Sequence, residues 1–242
     1  MNKAGIINHL AAVHGYRNYL ELCTLTTGAR YQEIDRSKLS RRRLMYRCPD
    51  DYEDGDPVDY RSPDCDISAC LQAIRGEKRR FDIALIDSFH EYGTSLRDLA
   101  EGFDLLREGG SLVVHDCLPP TRAIAQPTYL QGSWCGVSYE AYIDFVDARD
   151  DLAFYTVDTD YGCGVIRKRA GDALVRLGRR VVRAFDAVAD GEGRRLMQEW
   201  RTLKGDHARR FDVFERHKRT LLNLISVDEF FAREKLTARR AN

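Results

Sequence analysis

The sequence predicts an α/β protein in which an open, mostly parallel sheet carries helices on both faces. Two apolar runs of strand length, FDIALID at 81–87 and SLVVHDC at 111–117, flank a segment with helical periodicity. Strand, helix and strand in this order predict a parallel βαβ unit. Asp87 closes the first run, and His115 and Asp116 stand near the end of the second. Because ligands bind at the carboxyl ends of parallel strands, these three side chains are expected to share one site.

The chain before this unit predicts a helix and two further strands. Residues 3–16 have apolar side chains at helical spacing, so we expect a helix that covers the sheet edge or the ligand. The run YLELC at 19–23 predicts a short strand, and the loop TLTTG after it ends at Gly28. A helix at 29–35 completes this first βα unit, and RLMYRC at 43–48 predicts the second strand.

The remaining elements alternate between loops, helices and a hairpin. The acidic segment 50–63, with its Pro and Gly residues, predicts a surface loop, and 67–74 predicts a helix. The Pro- and Gly-rich segment 117–138 is long for a connection and lies at the ligand edge, so we expect a lid or a substrate-binding wall. An amphipathic helix at 139–148 and an antiparallel hairpin at 154–167 then complete the sheet.

Composition excludes several classes of protein. The 38 basic and 38 acidic residues give no net charge, so the chain has no overall attraction to nucleic acid or anionic membranes. Its apolar runs are too short to span a bilayer, and the N-terminus lacks a signal-peptide pattern, so a cytoplasmic protein is expected. The seven cysteines are odd in number and contain no CxxC pair, which indicates reduced thiols rather than disulfides or structural zinc.

The C-terminal part of the chain is mildly basic and predicts amphipathic helices. Apolar residues recur at helical spacing in two stretches, the first at Leu174, Leu177, Val181, Phe185 and Val188 and the second within 196–231. We therefore divide the chain into a domain at 1–169 and a helical extension at 170–242. An apolar stripe needs a partner, so the extension is expected to form a dimer interface, and hence a homo-oligomer, or to act as a lid.

Five motifs together resemble the class I S-adenosylmethionine-dependent methyltransferases. They are YLEL followed by Gly28, FDIALID with HEY after it, LLREGGSLVVHDC, WCG before a helix, and VDTDYGCGVIRK. More narrowly, they are similar to the bacterial branch that methylates sugars and secondary metabolites and includes macrocin-type O-methyltransferases. The resemblance covers about 17–169. It implies a Rossmann-like, seven-stranded sheet whose first and fourth strands flank the cofactor.

The same resemblance assigns positions around S-adenosylmethionine. Glu21 and Gly28 would border the cofactor, with Asp87 near its sulfonium end. Two cysteines occupy cofactor-binding positions where the family has other residues: Cys23 stands for a glycine after YLEL, and Cys48 stands for the acid that binds the ribose hydroxyls. A thiol cannot replace the two hydrogen bonds that such a carboxylate accepts. The neighbouring acids at 50–51 are the alternative ribose ligands.

The residues at the strand ends predict the chemistry of the site. Methyl transfer from a sulfonium requires the acceptor to be held close and its proton to be removed. Asp87 and Asp116 are hard oxygen ligands at the right edge of the sheet, consistent with Mg²⁺. His90 or His115 is a further ligand or the general base, because a neutral imidazole removes a proton near neutral pH.

These observations predict an O-methyltransferase acting on a small polar acceptor, such as a sugar or natural-product hydroxyl. Tyr92 and Trp134 are candidates to line the acceptor pocket by stacking on a ring. Two alternatives stay open at this point. Cys23 and Cys48 suggest a methyltransferase-like protein with impaired cofactor binding that serves as a scaffold partner, and the paired acids suggest a metal-dependent enzyme of other chemistry.

Overall fold

The computed structural model describes residues 1–24, 28–53, 55–87, 89–169 and 191–241. The strands within these ranges are β1 (Asn18–Thr24), β2 (Ser40–Tyr46), β3 (Tyr60–Arg61), β4 (Phe81–Asp87), β5 (Leu106–Val114), β6 (Leu152–Val157), β7 (Cys163–Lys168) and β8 (Leu224–Ile225). They form one sheet in the order β3-β2-β1-β4-β5-β7-β6-β8. Neighbours are parallel except where β7 pairs with β5 and β6. The predicted Rossmann-like α/β class is confirmed.

Helices cover both faces of this sheet. They are α1 (Lys3–His14), α2 (Ser68–Gly76), α3 (Tyr92–Leu105), α4 (Ser138–Asp147), α5 (Gly191–Thr202), α6 (His207–Leu221) and α7 (Val227–Ala241), with a 3-10 helix at Gly28–Glu33. Side chains alternate along β1, so Leu20 and Leu22 pack with α2 to α6, whereas Tyr19 packs with α1 and α7. None of the described helices is long and apolar enough to cross a membrane.

Three predicted elements differ from those observed. The helix expected at 29–35 is the short 3-10 helix, and the loop expected at 50–63 contains β3. The strand expected to begin at 111 begins at Leu106, so the Gly-Gly pair at 109–110 lies inside β5. Gly109 has a φ of 74°, and the pairing of β5 with β4 shifts register between Phe81 and Ile83. A glycine at this irregularity allows the strand to continue through it.

The C-terminal extension contributes to the sheet as well as to its helical covering. β8 pairs with β6, and this eighth strand was not part of the predicted seven. On one face α5 and α6 pack on α4, where Trp200 donates to Asp144 at 2.7 Å. On the other face Phe230 of α7 packs with α1. The first predicted stretch of the extension, within 171–190, lies outside the described residues, and the proposed boundary at 169 stays a prediction.

Glu234 of α7 joins four elements through one buried carboxylate. It lies 2.6 Å from His14 Nε2 of α1 and accepts hydrogen bonds from Tyr155 of β6 at 2.8 Å and from Arg167 of β7 at 2.9 Å. Its side chain is 2% exposed. Burial alone would raise the pKa of this carboxyl group, but His14 and Arg167 lower it. α7 is therefore held to the sheet by a charged contact as well as by apolar packing.

Replacing Glu234 by Ala should lower the free energy of unfolding by about 3 kcal/mol, because it leaves Arg167 and Tyr155 without their buried acceptor. Urea unfolding followed by circular dichroism measures the change. The matched control is Glu215→Ala on α6, whose exposed pair with Lys218 should contribute no more than about 0.5 kcal/mol. Equal losses for the two variants would contradict a structural role of the α7 contact.

Candidate active site

The ends of β4 and β5 bring the predicted polar residues together. The two strands are neighbours, with Ile86 opposite Val114, and the His115 N–H donates to the Ile86 carbonyl at 3.0 Å. Asp87 is the last residue of β4, and His115 and Asp116 follow β5 directly. Asp116 has a φ of 59°, a left-handed conformation that non-glycine residues adopt uncommonly. The backbone therefore turns sharply at Asp116, whose carboxylate lies beside His90 and His115.

Two imidazoles lie between two carboxylates in this cluster. His90 Nε2 is 3.5 Å from Asp87 Oδ1 and 3.2 Å from Asp116 Oδ2. His115 Nδ1 is 3.4 Å from Asp87 Oδ1 and 3.1 Å from Asp116 Oδ2. All four residues are buried. Each acid therefore faces both imidazoles, and proton transfer within the cluster requires no large movement.

Lys3 and Asp160 complete the cluster, and the sequence analysis did not identify either. The Lys3 ammonium forms an ion pair with Asp87, and the Lys3 backbone N–H donates to Asp160 at 2.9 Å. Asp160 also lies 3.4 Å from His115 Nε2. A signal for Lys3 was present, because it shares a helical face with Ile6 and Ile7, and a cation on a buried face needs a partner.

The charges in the cluster stabilise one another. Burial alone would raise the pKa of Asp87, but His115 and Lys3 hold it well below its usual range. Burial would lower the pKa of His115, but Asp87 and Asp116 raise it well above its usual value. The pKa of His90 is raised as well, against the effect of burial, chiefly by Asp116 and Asp87. Ion pairing also opposes burial at Asp160, where it lowers the pKa to about 2.

The two histidines differ in the partners of their second ring nitrogen. His90 Nδ1 lies 2.8 Å from the Trp134 carbonyl, which can only accept, so Nδ1 carries a proton. In the neutral form of His90, Nε2 is then the nitrogen with a free electron pair. His115 has a carboxylate at each ring nitrogen, with Asp160 at Nε2, which favours the doubly protonated imidazolium. His90 is thus suited to accept a proton and His115 to remain a cation.

A cavity of about 830 Å³ opens beside the cluster at the carboxyl edge of the sheet. Its volume is within the range of small-molecule sites. The residues that line it come from α1, the ends of β1, β2, β4 and β5, and the long loop after β5: Lys3, Thr24, Arg47, Asp87, Phe89, His90, His115, Asp116, Tyr129, Gln131, Gly132, Ser133, Trp134, Cys135 and Tyr161. The cluster and Trp134 therefore face one cavity, as the sequence predicts.

Tyr92, the second aromatic candidate for the acceptor pocket, is not part of this cavity. Its hydroxyl donates to Asp144 of α4 at 2.6 Å, in a separate depression formed with the α5 region. The prediction for Tyr92 is wrong because residue 92 begins α3, whose direction carries the side chain toward α4 rather than to the sheet edge.

Of the residues assigned to the cofactor by resemblance, Asp87 lines the cavity, whereas Glu21, Cys23 and Cys48 do not. Glu21 is 1% exposed and accepts from the Tyr19 hydroxyl at 2.6 Å, and burial raises its pKa to about 7. Cys23 and Cys48 are buried together with Met45. At the position of the expected ribose acid, the Cys48 sulfur lies 3.3 Å from Arg61 Nη1.

The remaining candidates for cofactor binding are Gly28 and the alternative ribose ligands Asp50 and Asp51. Gly28 begins the 3-10 helix, and residues 25–27 before it lie outside the described residues. Asp50 and Asp51 are exposed and do not line the cavity. Among the described residues of β1 and the 3-10 helix, Thr24 is the one that lines the cavity.

The donor set fits a metal-free site better than a magnesium site. Mg²⁺ prefers near-octahedral coordination by oxygen atoms. Here Asp87 is already paired with the Lys3 ammonium, and His90 and His115 both face Asp116. Asp87, His90 and Asp116 do place ligand atoms within 4.8 Å of one another. A divalent ion would nevertheless have to displace Lys3 and meet two imidazoles whose raised pKa favours the protonated form.

Comparison with known proteins establishes the fold. No family model and no curated protein matches the sequence. The structure is similar to an O-methyltransferase from Bacillus cereus in complex with SAH, with a TM-score of 0.51 and 17% identity, covering 69% of this chain and 80% of that one. TomG, an O-methyltransferase of Streptomyces achromogenes involved in tomaymycin synthesis and solved with SAM, has a TM-score of 0.49 and 14% identity, covering 69% and 79%. The first likeness confirms the predicted Rossmann-like α/β fold.

Replacing Lys3 by Met should create a site for a divalent cation, because Asp87 then loses its ammonium partner while it still lies close to Asp116 and His90. We expect the variant to bind Mn²⁺ about ten-fold more tightly than the wild-type protein, measured by calorimetry. Lys204→Met, which removes an exposed ammonium on the extension, should bind Mn²⁺ as the wild type does. Equally tight binding by wild type and Lys3→Met would contradict the role of Lys3.

Proposed function

We propose that this protein is an S-adenosylmethionine-dependent O-methyltransferase acting on a small polar acceptor, namely a hydroxyl of a sugar or natural product. The observation that carries the proposal is the buried cluster around His90, which opens onto a ligand-sized cavity in a methyltransferase fold. The sequence motifs that resemble the bacterial sugar and secondary-metabolite branch support the choice of acceptor class.

The cavity has room for a cofactor and an acceptor together, and it spans the ends of the strands that flank ligands in such folds. When bound, S-adenosylmethionine supplies a methyl group on a cationic sulfur. Thr24 and Asp87 are the residues proposed to contact it. Glu21 and Gly28 would shape the backbone behind the cofactor, and the expected ribose acid is missing because Cys48 is buried in its place.

His90 is proposed as the general base that removes the acceptor proton. Its Nδ1 proton is held by the Trp134 carbonyl, so Nε2 is the nitrogen that receives the proton. Asp87 and Asp116 lie next to Nε2 and stabilise the imidazolium that results. In this proposal the two carboxylates stabilise the proton that His90 takes from the acceptor hydroxyl.

Lys3 and His115 are proposed as fixed cations that favour the developing alkoxide. Both are buried beside Asp87, and both have pKa values raised by that carboxylate against the effect of burial. Preorganised charge in a site of low dielectric stabilises a charge that appears during the reaction. Because Lys3 and His115 already pair with Asp87 and Asp116, the proposed mechanism contains no metal-dependent step.

The remaining predictions belong to this proposal. Residues 1–169 would carry out the reaction, and 170–242 would serve as a lid or as the interface of a homo-oligomer. A cytoplasmic location and the absence of a nucleic-acid partner agree with the neutral net charge.

A second candidate is a methyltransferase-like protein with impaired cofactor binding that acts as a scaffold partner. The observation that favours it is the burial of Cys23 and Cys48 with Met45. Among the described residues that line the cavity after β2, none supplies a carboxylate at the expected ribose position. The scaffold role does not explain why five ionisable residues of the cluster, Lys3, Asp87, His90, His115 and Asp116, converge on the cavity wall.

Calorimetric titration with S-adenosylhomocysteine separates the two candidates. The enzyme proposal predicts saturable binding, and Asp87→Asn should weaken it about ten-fold or more, because the variant removes a carboxylate beside the sulfur position. Asp212→Asn on exposed α6 surface is the matched control. The absence of binding heat at high micromolar ligand would contradict the enzyme proposal and favour the role as a scaffold partner.

The proposed base also predicts a pH dependence. The reaction needs neutral His90, and the pKa of this imidazole is raised above 6.5, so kcat/KM should rise with pH through a value on the alkaline side of 6.5. His90→Gln should lower kcat about a hundred-fold and remove this limb. The measurement is methyl transfer from labelled cofactor to an acceptor found by screening hydroxylated sugars and phenols. A limb that persists in His90→Gln would assign the base to another residue.

A further inference from the structure

Arg47 places an exposed cation on the wall of the cavity. It directly follows β2 and has a φ of 48°, and its guanidinium lies 5.6 Å from the centre of the Phe89 ring. No carboxylate in the part of the chain that the structure describes lies within ion-pair distance of it. A guanidinium held against an aromatic ring keeps its N–H donors free at its edge.

Three aromatic rings form a continuous wall next to Arg47. Phe89 and Tyr129 are stacked with centroids 6.1 Å apart, and Trp134 meets both rings edge-on at 5.1 and 5.2 Å. The Trp134 indole donates to the Gln126 carbonyl at 2.7 Å, which fixes the ring in place. Tyr129 is 54% exposed, so the wall presents an uncovered apolar surface to a ligand.

The aromatic wall leads from Arg47 to the proposed base. Phe89 precedes His90 in the chain, and the Trp134 carbonyl holds His90 Nδ1 at 2.8 Å. The His90 and Trp134 rings are 5.4 Å apart. A ligand ring that stacks on this wall would therefore have one side toward His90 and another toward Arg47.

The balance of charge on the lining indicates what Arg47 binds. The carboxylates of Asp87 and Asp116 face Lys3, His90 and His115, so the cationic and acidic groups of the cluster are paired with one another. Arg47 is the charged group of the described lining that lacks such a partner. Its planar fork matches the two oxygens of a carboxylate or phosphate. Arg47 is therefore the lining cation that is available to an anionic group of a ligand.

We propose that the acceptor carries a ring and an oxyanion, with the ring stacked on Phe89, Tyr129 and Trp134 and the oxyanion bound by Arg47. The assignment of this ligand as the acceptor rests on the proposed methyltransferase function. A carboxylate and a phosphate present the same chemistry to the guanidinium, and so the test includes both.

Calorimetry with pairs of probes that differ in one charged group tests this inference. The pairs are protocatechuate with catechol, glucuronate with glucose, and phenyl phosphate with phenol. In at least one pair the anion should bind the wild-type protein about ten-fold more tightly than its neutral partner. Arg47→Gln should abolish that difference, whereas Arg195→Gln, which removes an exposed guanidinium from α5 outside the cavity, should retain it. Arg47→Lys should restore part of it.

Tyr129→Ser tests the aromatic wall separately. It should weaken charged and neutral probes alike by about three- to ten-fold, because stacking does not depend on the anion. Equal affinity within every pair, failure of every anion to bind, or a charge preference that survives in Arg47→Gln overturns the inference. Titration of the wild-type protein with S-adenosylhomocysteine distinguishes failure of the methyltransferase proposal from failure of the acceptor inference. If that nucleoside does not bind, the methyltransferase role is removed. A preference for anions that depends on Arg47 would then still support the anion site at Arg47.

Discussion

The ion pair between Lys3 and Asp87 is the interaction on which the candidate site depends. Asp87 is buried at the end of β4 beside a second carboxylate, and two buried acids so close together would strongly oppose ionisation without cations. Lys3 supplies a permanent charge from α1, and His115 supplies another from the end of β5. The pair holds the pKa of Asp87 well below its usual range, and the carboxylates in turn raise the pKa of both histidines.

This constraint links the site to parts of the fold that are distant in sequence. α1 carries Lys3 at its first residue and His14 at its last, where Glu234 of α7 holds it to β6 and β7. The C-terminal extension therefore secures the far end of the helix whose near end enters the cavity. A substitution that loosens α7 is expected to disturb the charge balance at Asp87 through α1, although none of the α7 side chains that the structure describes lines the cavity.

The sequence predicts the strand-end residues well because their positions follow from the chain itself. Apolar runs that end in Asp87 and His115 define two parallel neighbours, and neighbours in a sheet place such ends together. Lys3 and Asp160 reach the same point from elements 84 and 73 positions away from Asp87, and only the packing of α1 and the turn before β7 brings them there. Tyr92 fails for a related reason, since the direction of α3 depends on its packing against α4. The interpretation of Arg47 needs both its left-handed backbone and the Phe89 ring, neither of which a strand pattern reveals.

The proposed mechanism requires His90 to be a base with a fixed tautomer and His115 to be a fixed cation. Nitrogen NMR of protein with labelled histidine measures both properties directly, since the chain has six histidines that single substitutions can assign. We expect that His90, once neutral, keeps its proton on Nδ1 and titrates above 6.5, and that His115 stays doubly protonated through neutral pH. Two imidazoles that titrate together near 6.5, with His90 protonated on Nε2 when neutral, would contradict these roles.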